Sequence, residues 1–359
     1  MNESSDLISE KSKPLRLESL DIVRGIAIAM MVFTHYFVYS VNFSSIHNKL
    51  LLGPQIIASY ISVPLFYFIV GYTLVISTND KIRRGYSREQ LMKYIIARAS
   101  IIYVLGLVLN IYEVGFGHVW YWETLQMISI GYVFTYFLLP RSIMTRTGVA
   151  AVSLFIAFML APFYAMYVYK GIWSFPEFLF GVLFSGDDPF FPWIAYFILG
   201  SIIAEIKITR KMVMRILPPF IILSFISVIA AGYIPITKYP ASLTYNVICI
   251  TVTLFIFIII FWLTDIKKTG ISLFYPFKIF GMFPLTIFIL HIIIGMQLIK
   301  WVSISGSLDI VEFSGLYILT FVVITGIGYL WEKGGFKYSI DWFLKFISYK
   351  VLGKPTAKT

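Results

Sequence analysis

The sequence predicts an all-α polytopic membrane protein of about ten transmembrane helices with both termini in the cytoplasm, and three observations predict it. First, 59% of its 359 residues are hydrophobic and 18% aromatic while only 13% are charged, which is more apolar material than a soluble domain needs for its core. Second, the apolar residues gather into runs close to the twenty or so that cross a bilayer. They lie at 20–42, 53–78, 91–112, 119–139, 147–167, 190–206, 213–234, 242–264, 279–301 and 313–331. Third, with the N-terminus inside, all but four of the 29 Lys and Arg fall on the cytoplasmic side, the outer ones being Lys49, Lys170, Lys238 and Lys300. This is the positive-inside bias.

Taken in order, residues 1–19 form a polar cytoplasmic tail, and the apolar run after them is too long and lacks a small-residue cleavage site, so it reads as an uncleaved anchor. Residues 20–332 read as one transmembrane domain without a fixed-period repeat. Pro64 and Gly71 in the second run, Pro218 and Pro219 in the seventh and Pro284 in the ninth are expected to kink helices or let them pack closely. The outer connection 169–188 mixes Trp and Phe with Gly, Pro and acids, as expected of an interfacial segment or a lid. Residues 333–359 carry Phe336, Ile340, Phe343, Ile347 and Val351 at helical spacing with Lys337, Lys345 and Lys350 elsewhere. That is an amphipathic helix expected on the inner membrane surface, followed by a basic tail.

Composition also removes several function classes. The single Cys249 rules out an intrachain disulfide and a thiolate metal cluster. Asp187 and Asp188 form a lone acidic pair without a second acidic cluster, so no metal site is expected there. The net charge of +11 is concentrated on the inner side and points to anionic lipids or an anionic cytosolic ligand, with no nucleic-acid partner.

Ionisable residues inside the spans are the functional candidates, because a charge in lipid must face the protein interior or a water-filled cavity. Arg24 opens the first span and His35 follows eleven residues later, a separation of roughly 16 Å along a helix. His291 lies twelve residues into the outward-running ninth span, at a depth similar to that of His35, so the two imidazoles are expected to meet. Near the outer helix ends stand His47, Glu113, His118, Glu123 and Gln126, where solvation is cheaper. Arg24 has a structural alternative, pairing with Asp21 one turn back.

The stretch "SLDIVRGIAIAMMVFTH" has Leu-Asp, two residues, Arg-Gly, an apolar run and a histidine eleven after the arginine. It resembles the first helix of the transmembrane acyltransferase superfamily, which joins the family-three membrane acyltransferases to the heparan-alpha-glucosaminide N-acetyltransferase-like proteins. "SVPLFYFIVGYTL" at 62–74 resembles the second-helix motif of that superfamily, and "ETLQMISIGYVF", "PFFPWIAYFILGSIIAE" and "FGMFPLTIFILH" resemble later segments of the heparan branch. The resemblance implies acyl transfer, acetyl being the expected group, from cytosolic acyl-CoA to a hydroxyl or amine of a sugar or glycan on the outer side. It assigns the acyl-passing histidine to His35. In some members of the heparan branch that position is Asn and the active histidine lies in the following outer loop, which here would be His47.

The inner cations Arg24, Arg84, Lys93 and Arg98 are the candidates for the donor's phosphates. His35, His47 and His291 are the candidates for the chemistry, since imidazole can take the acceptor's proton at neutral pH or carry the acyl group itself. Two rivals stand beside this reading. One is a secondary transporter of a sugar or anionic solute, although the inverted repeat common in such proteins is not evident. The other is a b-type cytochrome with His35 and His291 as axial ligands. The plasma membrane is the expected location, lipids are the expected surroundings, and association into a homodimer stays open.

Overall fold

The computed structural model describes residues 17–46, 52–160, 179, 181–185, 188–206, 208–230, 236–238 and 241–356. His47, Asp187 and most of the 169–188 connection lie outside the described residues. Twelve helices build the described chain: α1 (Glu18–Ser40), α2 (Gly53–Arg83), α3 (Arg88–Val114), α4 (Thr124–Leu138), α5 (Ile143–Leu160), α6 (Phe190–Ile203), α7 (Arg210–Ala230), α8 (Leu243–Ile266), α9 (Tyr275–Met282), α10 (Pro284–Trp301), α11 (Ile310–Glu332) and α12 (Ile340–Leu352). Among them β-structure is limited to one parallel bridge, Val41 to Leu308.

The protein is an integral membrane protein, and among the described residues seven helices are long and apolar enough to span a bilayer: α1, α2, α3, α5, α8, α10 and α11. Hydropathy alone expects ten. The difference lies partly in α4 and α6, which are apolar but only 15 and 14 residues long, about 22 Å against a hydrocarbon layer of about 30 Å. Helix α6 is the innermost element, with Trp193, Ile194, Tyr196, Phe197 and Ile198 fully buried. A helix of that length shielded by others does not have to match the bilayer. By contrast α11 buries only Phe313 and Gly328 and turns Val311, Ile318, Leu319, Val322 and Leu330 outward, where lipid covers them.

Local signals start the helices where the backbone would otherwise leave N–H groups unsatisfied. Ser87 and Gln90 form a reciprocal capping box on α3, and Asp309 and Glu312 form one on α11. The expected ninth span is two helices. Phe283 has φ −137° and ψ 54°, outside the helical range, and Pro284 begins α10 at a position where its missing N–H costs nothing.

Helix α1 packs against α2 and α9, α2 against α6, and α3 against α4 and α12. The α1–α9 crossing is set by glycine. A Cβ on Gly25 would lie 1.7 Å from the Phe277 carbonyl oxygen, and one on Gly281 would lie 1.7 Å from that of Asp21, so the two backbones touch.

The C-terminal helix α12 turns Phe343, Phe346 and Val351 outward. Its other face docks onto the protein: Leu344, Ser348 and Leu352 are buried, and Asp341 accepts hydrogen bonds from the backbone N–H of Leu285 (3.3 Å) and of Thr286 (2.8 Å) and from Thr286 Oγ1 (2.7 Å). Asp341 thereby satisfies orphan donors in the first turn of α10. Asp341→Ala strands these donors and is expected to cost about 2–3 kcal/mol. A lowered melting temperature together with faster proteolysis after residue 333 checks this; unchanged proteolysis would refute the docking role.

Candidate active site

Two cavities lie back to back. The inner one, about 350 Å³, is lined by cations from four helices: Arg24 of α1, Lys81 of α2, Arg98 of α3 and Lys345 of α12. The outer one, about 290 Å³, is lined by His35, Asn110, Gln126, Asp188 and Lys238 among others. Val63, Thr124, Leu125 and Phe288 line both, so these four residues belong to the wall that the cavities share.

Each inner cation is held differently. Arg24 Nη1 donates to Asp21 Oδ1 (3.2 Å) and to the Gly281 carbonyl (3.1 Å), so the structural pairing with Asp21 and a place on the cavity wall coexist. Lys81 is 4% exposed, donates to Ser77 Oγ at 2.6 Å and lies 4.3 Å from the Tyr94 ring centroid, a cation–π arrangement. Asp341 is the acid beside them on the cavity wall. Burial holds its carboxyl above the usual carboxylate range, opposed by the hydrogen bonds from Thr286 and Leu285 and by the Arg98 charge. Arg84 and Lys93 are elsewhere. Arg84 pairs with Asp80 at 2.9 Å and Lys93 with Glu89 at 2.7 Å, both on the exposed surface and away from the inner cavity wall.

The expected meeting of histidines is present. His35 Nδ1 lies 2.9 Å from His291 Nε2. His291 is buried and begins a π-helical turn, His291–Met296, a widening of the helix often found at functional sites. The Ile293 carbonyl in that turn accepts from Tyr112 Oη at 3.0 Å. The hydrogen-bond chain assigns the tautomers. His291 Nδ1 is 3.2 Å from the Ile287 carbonyl, which can only accept, so Nδ1 carries the hydrogen and Nε2 of the neutral ring is an acceptor. His35 therefore donates from Nδ1 and keeps its lone pair on Nε2, on a ring that lines the outer cavity. A base oriented by a second group is the logic of a catalytic dyad.

Several polar groups around the outer cavity are tied in. Asn110 Nδ2 donates to the carbonyls of Val119 (3.0 Å) and Tyr121 (2.6 Å), fixing the α3–α4 connection. Trp122 Nε1 donates to the Asp188 carbonyl at 2.8 Å, and Thr124 Oγ1 donates to Asp188 Oδ2. Glu113 and Glu123 also line the cavity, whereas His118 is exposed on the connection and lies off its wall.

A basic chamber and a histidine dyad on opposite sides of a shared wall suit transfer between two substrates. The family model described as "Heparan-alpha-glucosaminide N-acetyltransferase, catalytic" matches residues 16–218. The chain belongs to this family. Comparison with curated proteins found no match. Membership in the heparan-alpha-glucosaminide N-acetyltransferase family makes the protein a membrane acyltransferase. The matched segment holds Arg24, His35, Lys81, Arg98 and Gln126, while His291, Asp341 and Lys345 come from beyond it. The rival readings have no support from the family, and the cytochrome has a steric objection as well: two hydrogen-bonded nitrogens 2.9 Å apart leave no room for a haem between them.

Sequence reasoning overlooked Lys81 and Lys345 as cavity residues. Lys81 sits in "NDKIRRG", where it reads as one of several cytoplasmic loop cations. Lys345 reads as part of a solvated face. A signal for it existed: Asp341, Lys345 and Tyr349 recur every four residues, a polar stripe on one face of α12, and all three line the inner cavity.

Proposed function

We propose that the protein passes an acetyl group from acetyl-CoA, bound from the cytoplasm, to a hydroxyl or amine of a sugar or glycan at the outer side of the plasma membrane. The observation that carries this reading is the pair of neighbouring cavities that share Val63, Thr124, Leu125 and Phe288 in their walls, with cations lining one and His35 lining the other. Ten membrane crossings with both ends inside accompany it, supported by the charge asymmetry.

Arg24, Lys81, Arg98 and Lys345 hold the donor's phosphates through charge-assisted hydrogen bonds. Arg84 and Lys93, exposed on the same inner side, raise the local concentration of the anionic donor. His35 Nε2 takes the proton of the acceptor's hydroxyl or amine as it attacks the thioester carbonyl. The C–S bond breaks, the coenzyme sulfur leaves as a thiolate, and it takes the proton from His35 Nε2 to become the thiol, which restores the base. Attack by His35 itself, giving an acyl-imidazole that the acceptor then discharges, uses the same geometry. His291 holds the His35 ring in its basic tautomer.

Donor binding tests the inner half of the reading. Lys81→Met and Arg98→Met are expected to raise the Kd for acetyl-CoA about tenfold or more, as loss of a charged hydrogen bond does. Arg84→Ala and Lys93→Ala are expected to change it less than threefold in 0.15 M salt, where exposed charges are screened. Calorimetric titration of the purified protein measures all four; equal effects from the two pairs would sink the assignment.

A further inference from the structure

The wall of the outer cavity holds a side chain that the proposed chemistry leaves unused. Gln126, in the first turn of α4, is 1% exposed and lines that cavity with His35. Among the described residues neither its Oε1 nor its Nε2 has a hydrogen-bond partner. A buried amide carries two donors and one strong acceptor, and leaving them unsatisfied is costly unless a ligand meets them. The space for the amide is made by α3. A Cβ on Gly106 would lie 2.9 Å from Gln126 Cδ and Nε2, so only glycine there leaves the amide undisturbed. The neighbouring amide of Asn110, by contrast, is spent on two loop carbonyls.

We infer that Gln126 is a specificity-determining residue for the acceptor, reading a pair of adjacent polar groups such as the vicinal hydroxyls of a sugar ring. A planar amide that offers N–H and C=O side by side can donate to one hydroxyl oxygen and accept from its neighbour. A simple alcohol or amine leaves half of the amide unpaired and is rejected. The inference rests on the outer cavity being the acceptor site, and it adds the chemistry that the acceptor must carry.

Glucosamine, an amine flanked by hydroxyls, and cyclohexylamine, an amine on a bare ring, are the probes. Gln126→Leu keeps side-chain volume and removes the hydrogen-bonding groups. Calorimetry on the purified protein in detergent is expected to show glucosamine affinity falling tenfold or more in Gln126→Leu, while acetyl-CoA affinity changes less than twofold. The ratio of kcat/KM for glucosamine over cyclohexylamine is expected to fall at least tenfold, a change that a purely structural role would not produce. Gly106→Ala, which presses on the amide without removing it, is expected to lower the same ratio.

Equal binding of glucosamine by wild type and Gln126→Leu, or no binding by the wild type, would overturn the inference. So would loss of acetyl-CoA affinity matching that of glucosamine. Binding that depends on Gln126 without any transfer upholds the recognition and defeats the enzyme reading. Transfer to glucosamine that is indifferent to Gln126 does the reverse.

Discussion

His35→Ala is expected to lower transfer to the acceptor by about 10²- to 10⁴-fold, the range for loss of a general base, or by more if the acyl group passes through the imidazole. Acetyl-CoA binding is expected to stay within a factor of two, because His35 lines the outer cavity and the donor's cations line the inner one. Its partner supplies a graded control. His291→Ala leaves His35 in place and removes the acceptor that selects its tautomer, so kcat is expected to fall by about 10- to 100-fold, as loss of an outer-shell partner does elsewhere. His291→Gln is expected to recover part of that loss, since an amide oxygen can accept from His35 Nδ1. Single-turnover measurement with labelled acetyl-CoA separates these effects from binding. Transfer abolished by His47→Ala and retained by His35→Ala would move the chemistry to the outer loop, and retention by both variants would end the histidine mechanism.

Gly281→Ala and Gly25→Ala are each expected to destabilise the fold by about 3 kcal/mol, toward the upper end for overpacking. The added methyl would stand 1.7 Å from a carbonyl oxygen of the facing helix, and backbone cannot rotate out of the way as a side chain can. Gly315→Ala on α11 is the matched control. A Cβ there meets nothing within 4 Å, so the change is expected to be neutral or stabilising by up to about 1 kcal/mol from helix propensity. Thermal unfolding in detergent compares the three, and a Gly281→Ala shift no larger than that of Gly315→Ala would refute the crossing. Function should follow stability here, because α1 carries Arg24 and His35 while α9 leads directly into α10 and His291.

What each of the ten hydropathy runs shows depends on what that run faces. Where a run meets lipid on one side, as α11 does, apolar length alone identifies it. Where a helix is wrapped by others, as α6 is, the same composition marks a short core helix, because protein neighbours and lipid impose the same demand for apolar side chains. The break at Phe283 was signalled only by Pro284, and a sequence equally allows proline inside a continuous helix, as Pro64 is in α2.

By itself the sequence determined the membrane class and the spacing of Arg24 and His35 along one helix, since composition is additive and spacing follows from the rise per residue. Only the tertiary structure decided that His35 and His291, 256 residues apart, share a hydrogen bond. It likewise brought Lys81 and Lys345 to one chamber and left Arg84 and Lys93 on the surface. Those outcomes depend on the rotation of each helix about its axis and on how closely helices approach. Contacts such as that of Gly25 with the α9 backbone set both, and they form between segments that carry no local record of each other.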